Sequence, residues 1–189
     1  MPKIENAKIL IMSSHGFEQS ELEYPLDHLK QAGATVHVAT PDGNPVRGWD
    51  SKDWGNTVDA DLKISDVKVD TYDALVLPGG QINPDLLRVD KDAVQLVRDF
   101  VTGDKIVAAI CHAPWLLIEA GVIKGRTATS YHSIKTDMQN AGAKWQDKEV
   151  AIDNGIITSR SPKDLEAFVG KIIEEVREGE HHRTSADAA

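Results

Sequence analysis

Four short apolar runs constrain this chain more than any other feature. Ala7 to Ser13, Thr35 to Ala39, Ala74 to Leu77 and Ile106 to Ile110 are rich in Val, Ile, Leu and Ala, and each is too short for a helix. Runs of this kind suit strands covered on both faces, the condition of a parallel sheet held between helical layers. The intervening segments supply that cover. Leu22, Leu26 and Leu29 share one helical stripe that Gly33 closes. Asp90 caps a second helix, whose Val94, Val97 and Phe100 face inward and which stops at Gly103. Ser161 as N-cap, Pro162 at the first helical position and Asp164 at the third open the last helix. Its inner face is Leu165, Phe168, Val169, Ile172 and Val176.

Two stretches break this rhythm. Residues 42–66 hold four glycines or prolines and two tryptophans, and read as irregular chain with short strands. Val150 to Ser159 is interrupted by Asn154-Gly155, a strong hairpin signal. The expected fold is α/β: a flavodoxin-like three-layer α/β/α sandwich with a mostly parallel sheet and a small β-hairpin. A length of 189 residues, 41% of them hydrophobic, fits one core rather than two. The domain is expected to span residues 1–178, with 179–189 as a disordered tail without periodicity.

Composition narrows the partners. A formal net charge of −9 disfavours nucleic acid and anionic membrane surfaces, which repel an acidic protein. The longest apolar run, Ile106 to Cys111, falls far short of the roughly 20 residues that span a bilayer. With no signal-peptide pattern, a cytoplasmic location is the expectation. One cysteine excludes an internal disulfide and fits a reducing compartment.

In open parallel sheets, ligands bind beyond the carboxyl ends of the strands. Those ends carry Ser14-His15-Gly16-Phe17-Glu18, Pro78-Gly79-Gly80 and Cys111-His112-Ala113-Pro114. Cys111 ends one strand just before a helix, so it occupies a sharp elbow that lifts the side chain over the sheet. The helix N-terminus favours a thiolate, and its N–H groups can hold an oxyanion. By itself a free cysteine is commonly a small buried hydrophobe; the elbow and adjacent His112, a candidate base, favour a nucleophile. Glu18 lies four residues before Leu22, which points its carboxyl inward with a raised pKa, ready to meet Cys111. The plainer alternative is a residue that caps the first helical turn. Gly79 and Gly80 let backbone N–H groups approach a ligand, and Gly80 offers a second oxyanion donor. No His, Cys, Asp or Glu grouping has zinc spacing, and the tail pair His181-His182 reads as solvated. No phosphate loop or dinucleotide fingerprint follows a strand, so neither metal nor cofactor is expected.

The segments AICHAPWLL around Cys111, ALVLPGG at 74–80, GFEQSELEYP at 16–25 and TSYHSIKTDMQNAGA at 129–143 resemble the PfpI family of the ThiJ/PfpI superfamily. The resemblance implies a flavodoxin-like fold, a homodimer or homohexamer, and a carboxylate such as Glu18 in contact with the cysteine. It also implies a pocket tyrosine at Tyr131, with His132 standing where relatives often have proline. Activities implied are those of cofactor-free glyoxalases and deglycases acting on reactive aldehydes or glycated substrates, or of intracellular cysteine peptidases. In the peptidase-like members an acid from a neighbouring subunit completes a triad. Here the matching stretch offers Asp85 on a loop one residue longer. A third reading, redox sensor or holding chaperone, rests on an accessible thiolate.

Overall fold

The computed structural model describes residues 4–179. The strands are β1 (Lys8–Met12), β2 (Thr35–Thr40), β3 (Val46–Asp50), β4 (Asp53–Val58), β5 (Leu62–Lys63), β6 (Ala74–Leu77), β7 (Ile106–Ile110), β8 (Thr127–Ala128), β9 (Lys144–Trp145), β10 (Val150–Asp153) and β11 (Ile156–Ser159). The helices are α1 (Gln19–Gln31), α2 (Ile82–Leu87), α3 (Lys91–Thr102), α4 (Pro114–Glu119), α5 (Lys135–Asn140) and α6 (Leu165–Glu178).

Seven strands form one sheet in the order β10-β11-β7-β6-β1-β2-β5. Every pairing is parallel except that of β10 with β11. Alternate residues of each strand enter opposite layers, as the twofold strand period requires. Leu10, Met12, Leu75, Leu77, Val107 and Ala109 pack with Phe100, Leu116 and Leu117 of α3 and α4. Ile9, Ile11, Val76, Ile106, Ala108 and Ile110 pack with Leu22, Leu29, Phe168 and Ile172 of α1 and α6. The apolar runs are continuous because both faces are covered.

β1 lies between β2 and β6, so the chain leaves it in opposite directions on its two sides. Such a switch point opens a crevice at the carboxyl ends of the strands. The Asn154-Gly155 turn has φ of 45° and 75°, the left-handed pair of a type I′ hairpin, and it returns β11 alongside β7. Residues 42–66 are more ordered than their composition suggests. β3 and β4 form a separate antiparallel ribbon, tied to the start of α1 where Trp49 N–H donates to Phe17 O at 2.7 Å.

Two helix starts differ from the expected reading. Ser161 and Pro162 introduce a 3-10 turn, Pro162–Asp164, before α6 begins at Leu165. Asp164 does not cap that turn; it pairs with Arg160 at 2.8 Å. In α1 the buried positions are Glu21, Leu22, Pro25 and Leu29, while Leu26 is only partly covered. The expected tail beyond Gly179, with His181 and His182, lies outside the described residues. Among those described, no helix is long and apolar enough to cross a membrane.

Asp90 caps α3 as the sequence suggests, its carboxylate accepting from the N–H groups of Asp92 and Ala93. Asp90→Ala should therefore cost about 1 kcal/mol. Urea unfolding should show a lower midpoint with an unchanged slope.

Candidate active site

Three loops meet above the sheet. Asn83, buried at the start of α2, joins two of them: its Oδ1 accepts from Ser14 N–H at 2.7 Å and its Nδ2 donates to Pro78 O at 2.8 Å. Glu18 N–H donates to Gly79 O at 3.3 Å, and Tyr131 N–H to Cys111 O at 2.8 Å. The result is a cleft of about 510 Å³ lined by Glu18, Glu21, Trp49, Cys111, His112 and Tyr131 among others.

Cys111 sits between β7 and α4 with φ of 65°. A non-glycine residue there costs on the order of 1–3 kcal/mol and persists only when its surroundings impose it. Cys111 N–H donates to Ser159 O at 3.0 Å, and the neighbouring strands hold the bend. The other left-handed non-glycine residues, Ser51, Asp104 and Asn154, lie in turns between elements. The elbow inferred from the sequence is present.

The carboxyl that meets the thiol belongs to Glu21. Glu18 is the N-cap of α1, with extended backbone (φ −60°, ψ 117°), so helical spacing does not extend back to it from Leu22. It is half-buried at the cleft wall, where Ser20 Oγ donates to its Oε1 at 3.4 Å. Burial, followed by repulsion from Asp50, raises its pKa against the lowering effect of Ser20. Glu21 lies inside the helix, adjacent to Leu22 and four residues before Pro25, on the face that turns to the core. It is fully buried, and its carboxyl and Cys111 Cβ flank the same face of Gly79. Its Oε2 accepts from Gly79 N–H at 2.9 Å. Burial, and next the charge of Glu18, push its pKa up to about 8. At neutral pH it holds a proton.

Gly79 makes that approach possible. A Cβ on this residue would lie 2.5 Å from Glu21 Oε2 and 2.6 Å from Cys111 Cβ. Gly80 has φ of 82°, and its backbone N–H and that of His112 act on the sulfur to lower its pKa.

The thiolate expectation needs correction. Burial, and next the charge of Glu21, push the Cys111 thiol up, outweighing the two N–H groups. Cys111 is 6% exposed, and α4 spans only Pro114–Glu119, too short for its dipole to offset that desolvation. The resting sulfur is a thiol that needs a base. The candidate base is His112: its Nδ1 is 3.2 Å from Sγ and its Nε2 is 3.1 Å from Ser133 Oγ. With the proton assigned to Nε2, which donates to Ser133, Nδ1 is free to accept from the thiol. Desolvation, and next the charge of His132, lower the His112 pKa, which keeps the ring neutral and basic.

Tyr131 stacks on His112, their centroids 4.8 Å apart. Ser133 in a 3-10 turn, Glu21 within α1, Asn83 in α2 and Trp49 in the β3–β4 ribbon carry no local signature in the sequence. Asp85 is exposed on α2 and does not line the cleft; within one chain, the group that meets Nε2 of His112 is Ser133.

A left-handed cysteine, an embedded carboxyl and an adjacent histidine at the carboxyl edge of a flavodoxin-like sheet define a cysteine-centred α/β site. Residues 7–175 match the DJ-1/PfpI family, and the chain belongs to it. It is 43% identical over 166 residues to the deglycase PfpI of Pyrococcus furiosus, covering 88% of this chain and 97% of that one. It is 41% identical over 162 residues to the putative cysteine protease YraA of Bacillus subtilis, covering 85% and 93%. The crystal structure of Drosophila melanogaster DJ-1beta superimposes with a TM-score of 0.82 at 33% identity, over 93% of this chain and 90% of that one.

Glu21 gives stability a pH dependence. Its folded pKa is raised, so the folded state binds the proton more tightly than the unfolded state. That contribution is complete below about 4.5 and is lost as pH rises through about 8. Stability of the native chain should fall across this window, and Glu21→Gln should flatten the profile in denaturant titrations.

Proposed function

We propose that this protein is a cofactor-free enzyme that acts on reactive dicarbonyls, such as methylglyoxal, or on their adducts with amines and thiols. The observation that carries this reading is the Cys111–Glu21 contact beside a neutral His112. The deglycase name of the Pyrococcus furiosus relative supports it. His112 Nδ1 takes the thiol proton as Sγ adds to the aldehyde carbon, and the carbonyl oxygen receives a proton from Glu21. The N–H groups of Gly80 and His112 hold the developing oxyanion. The hemithioacetal carbon then loses its proton and the neighbouring carbonyl carbon gains one, which gives a lactoyl thioester. Water cleaves this to lactate and restores the thiol. In an adduct, the amine or thiol departs with a proton. Glu21 and His112 act as the acid–base pair. Glu18 and Tyr131 shape the cleft and orient substrate.

A second reading, peptide hydrolysis with Cys111, His112 and an acid from a second copy, is favoured by the exposed apolar residues Ile82, Leu86 and Val89 around Asp85. Such a surface suits a homo-oligomer that brings Asp85 of one copy to His112 of another. The protease name of the Bacillus subtilis relative agrees with it. A sensor role gains little from a thiol that is buried and held protonated. A cytoplasmic setting follows from the single cysteine and its need to stay reduced.

Incubation with methylglyoxal should consume dicarbonyl and release lactate. Cys111→Ser should abolish turnover, and Glu21→Gln should lower kcat by about 10²–10⁴-fold. Wild-type turnover no faster than that of Cys111→Ser removes the proposal. Asp85→Ala should eliminate any peptidase activity and leave lactate formation intact.

A further inference from the structure

The ring system around His112 extends beyond the catalytic cleft. Tyr131, stacked on His112 at 4.8 Å and 26°, also meets the His132 ring at 4.3 Å and 36°. Trp115 closes on His112 edge-on at 5.3 Å. Three consecutive residues, Tyr131, His132 and Ser133, thus all bear on one imidazole: a ring against its face, a second imidazole beyond, and a hydroxyl on Nε2. His132 itself is exposed at the start of a 3-10 turn and borders a second, smaller cleft with Asp147, Arg160, Lys163 and Asp164.

We propose that His132 is a positioning residue for His112, acting through Tyr131 to hold the catalytic imidazole in its neutral, Nε2-protonated form. The mechanism is electrostatic and steric together. A charge on His132 disfavours a second one on His112, and the effect adds to desolvation of the buried ring. Contact with Tyr131 keeps the imidazole plane where Nδ1 faces Sγ and Nε2 faces Ser133. His132 touches neither thiol nor Glu21, so its effect is confined to the base.

The other groups around the two rings do not duplicate this influence. Around His112, Cys111 and Glu21 are held protonated, and Trp115 is neutral, its Nε1 donating to Asp137 Oδ2 at 2.9 Å. Around His132, the Arg160 guanidinium is paired with both Asp147 at 2.7 Å and Asp164 at 2.8 Å, which leaves one carboxylate charge in excess. Lys163 remains as a competing cation on that side, and Lys135 lies over the Trp145 ring at 4.8 Å.

The test follows His112 titration by imidazole NMR in the full-length protein, a readout independent of substrate. Unit charges on two imidazoles separated by one ring should couple by a few tenths of a pH unit at low salt. His132→Phe keeps an aromatic against Tyr131 but removes the charge. It should raise the His112 midpoint by about 0.3–0.7 units, and 1 M salt should erase most of the difference. His132→Gln, which loses ring and charge, should raise it at least as far and weaken the Nε2–H signal of the Ser133 bond. Lys163→Gln controls for the neighbouring cation and should shift it less. If the enzyme turns over a dicarbonyl, the acid limb of kcat/KM should move to higher pH in step. An unchanged His112 midpoint in both His132 variants overturns the proposal, whether or not the enzymatic reading stands.

Discussion

The site depends on a close approach between the backbone at Gly79, the carboxyl of Glu21 and the bent backbone at Cys111. Each of the three requires the others. Without a side chain at Gly79, the Glu21 carboxyl reaches its N–H, and Cys111 Cβ fits beside both. The left-handed φ of Cys111 turns its sulfur toward that carboxyl rather than into the sheet. Parallel pairing of β6 with β7 and of β7 with β11 holds the bend in place. Interiors packed to this density do not deform gradually, so strain at one residue can be held by rigid neighbours.

Burial governs the chemistry that follows. It pushes both Glu21 and Cys111 toward their protonated forms and His112 toward its neutral form. All three shifts share a cause, the cost of an uncompensated charge in a low-dielectric site. Burial thus favours the uncharged form of all three groups at rest. Among the described residues lining the cleft none is Lys or Arg, which suits uncharged carbonyl substrates.

Much of the fold was legible. The four apolar runs coincide with β1, β2, β6 and β7 to within two residues, and Asn154-Gly155 adopts the expected hairpin turn. The elbow at Cys111, the His112 ring beside it and the Gly79-Gly80 turn are local features, and local patterns showed them. The carboxyl was misassigned by three positions. Counting back in fours from Leu22 assumes that the helix extends to Glu18, whereas α1 starts at Gln19. Ser133 carried no signal at all, since a serine in a 3-10 turn resembles any other.

The amino-acid sequence alone determined the layered sheet, the edge on which three loops converge and the elbow at Cys111, because periodicity and turn residues act over a few positions. Tertiary structure alone decided which glutamate meets the sulfur, that the thiol rests protonated and that Ser133 orients the histidine. Those outcomes depend on burial and on distances between segments remote in the chain. Neither quantity is encoded in any single stretch of residues.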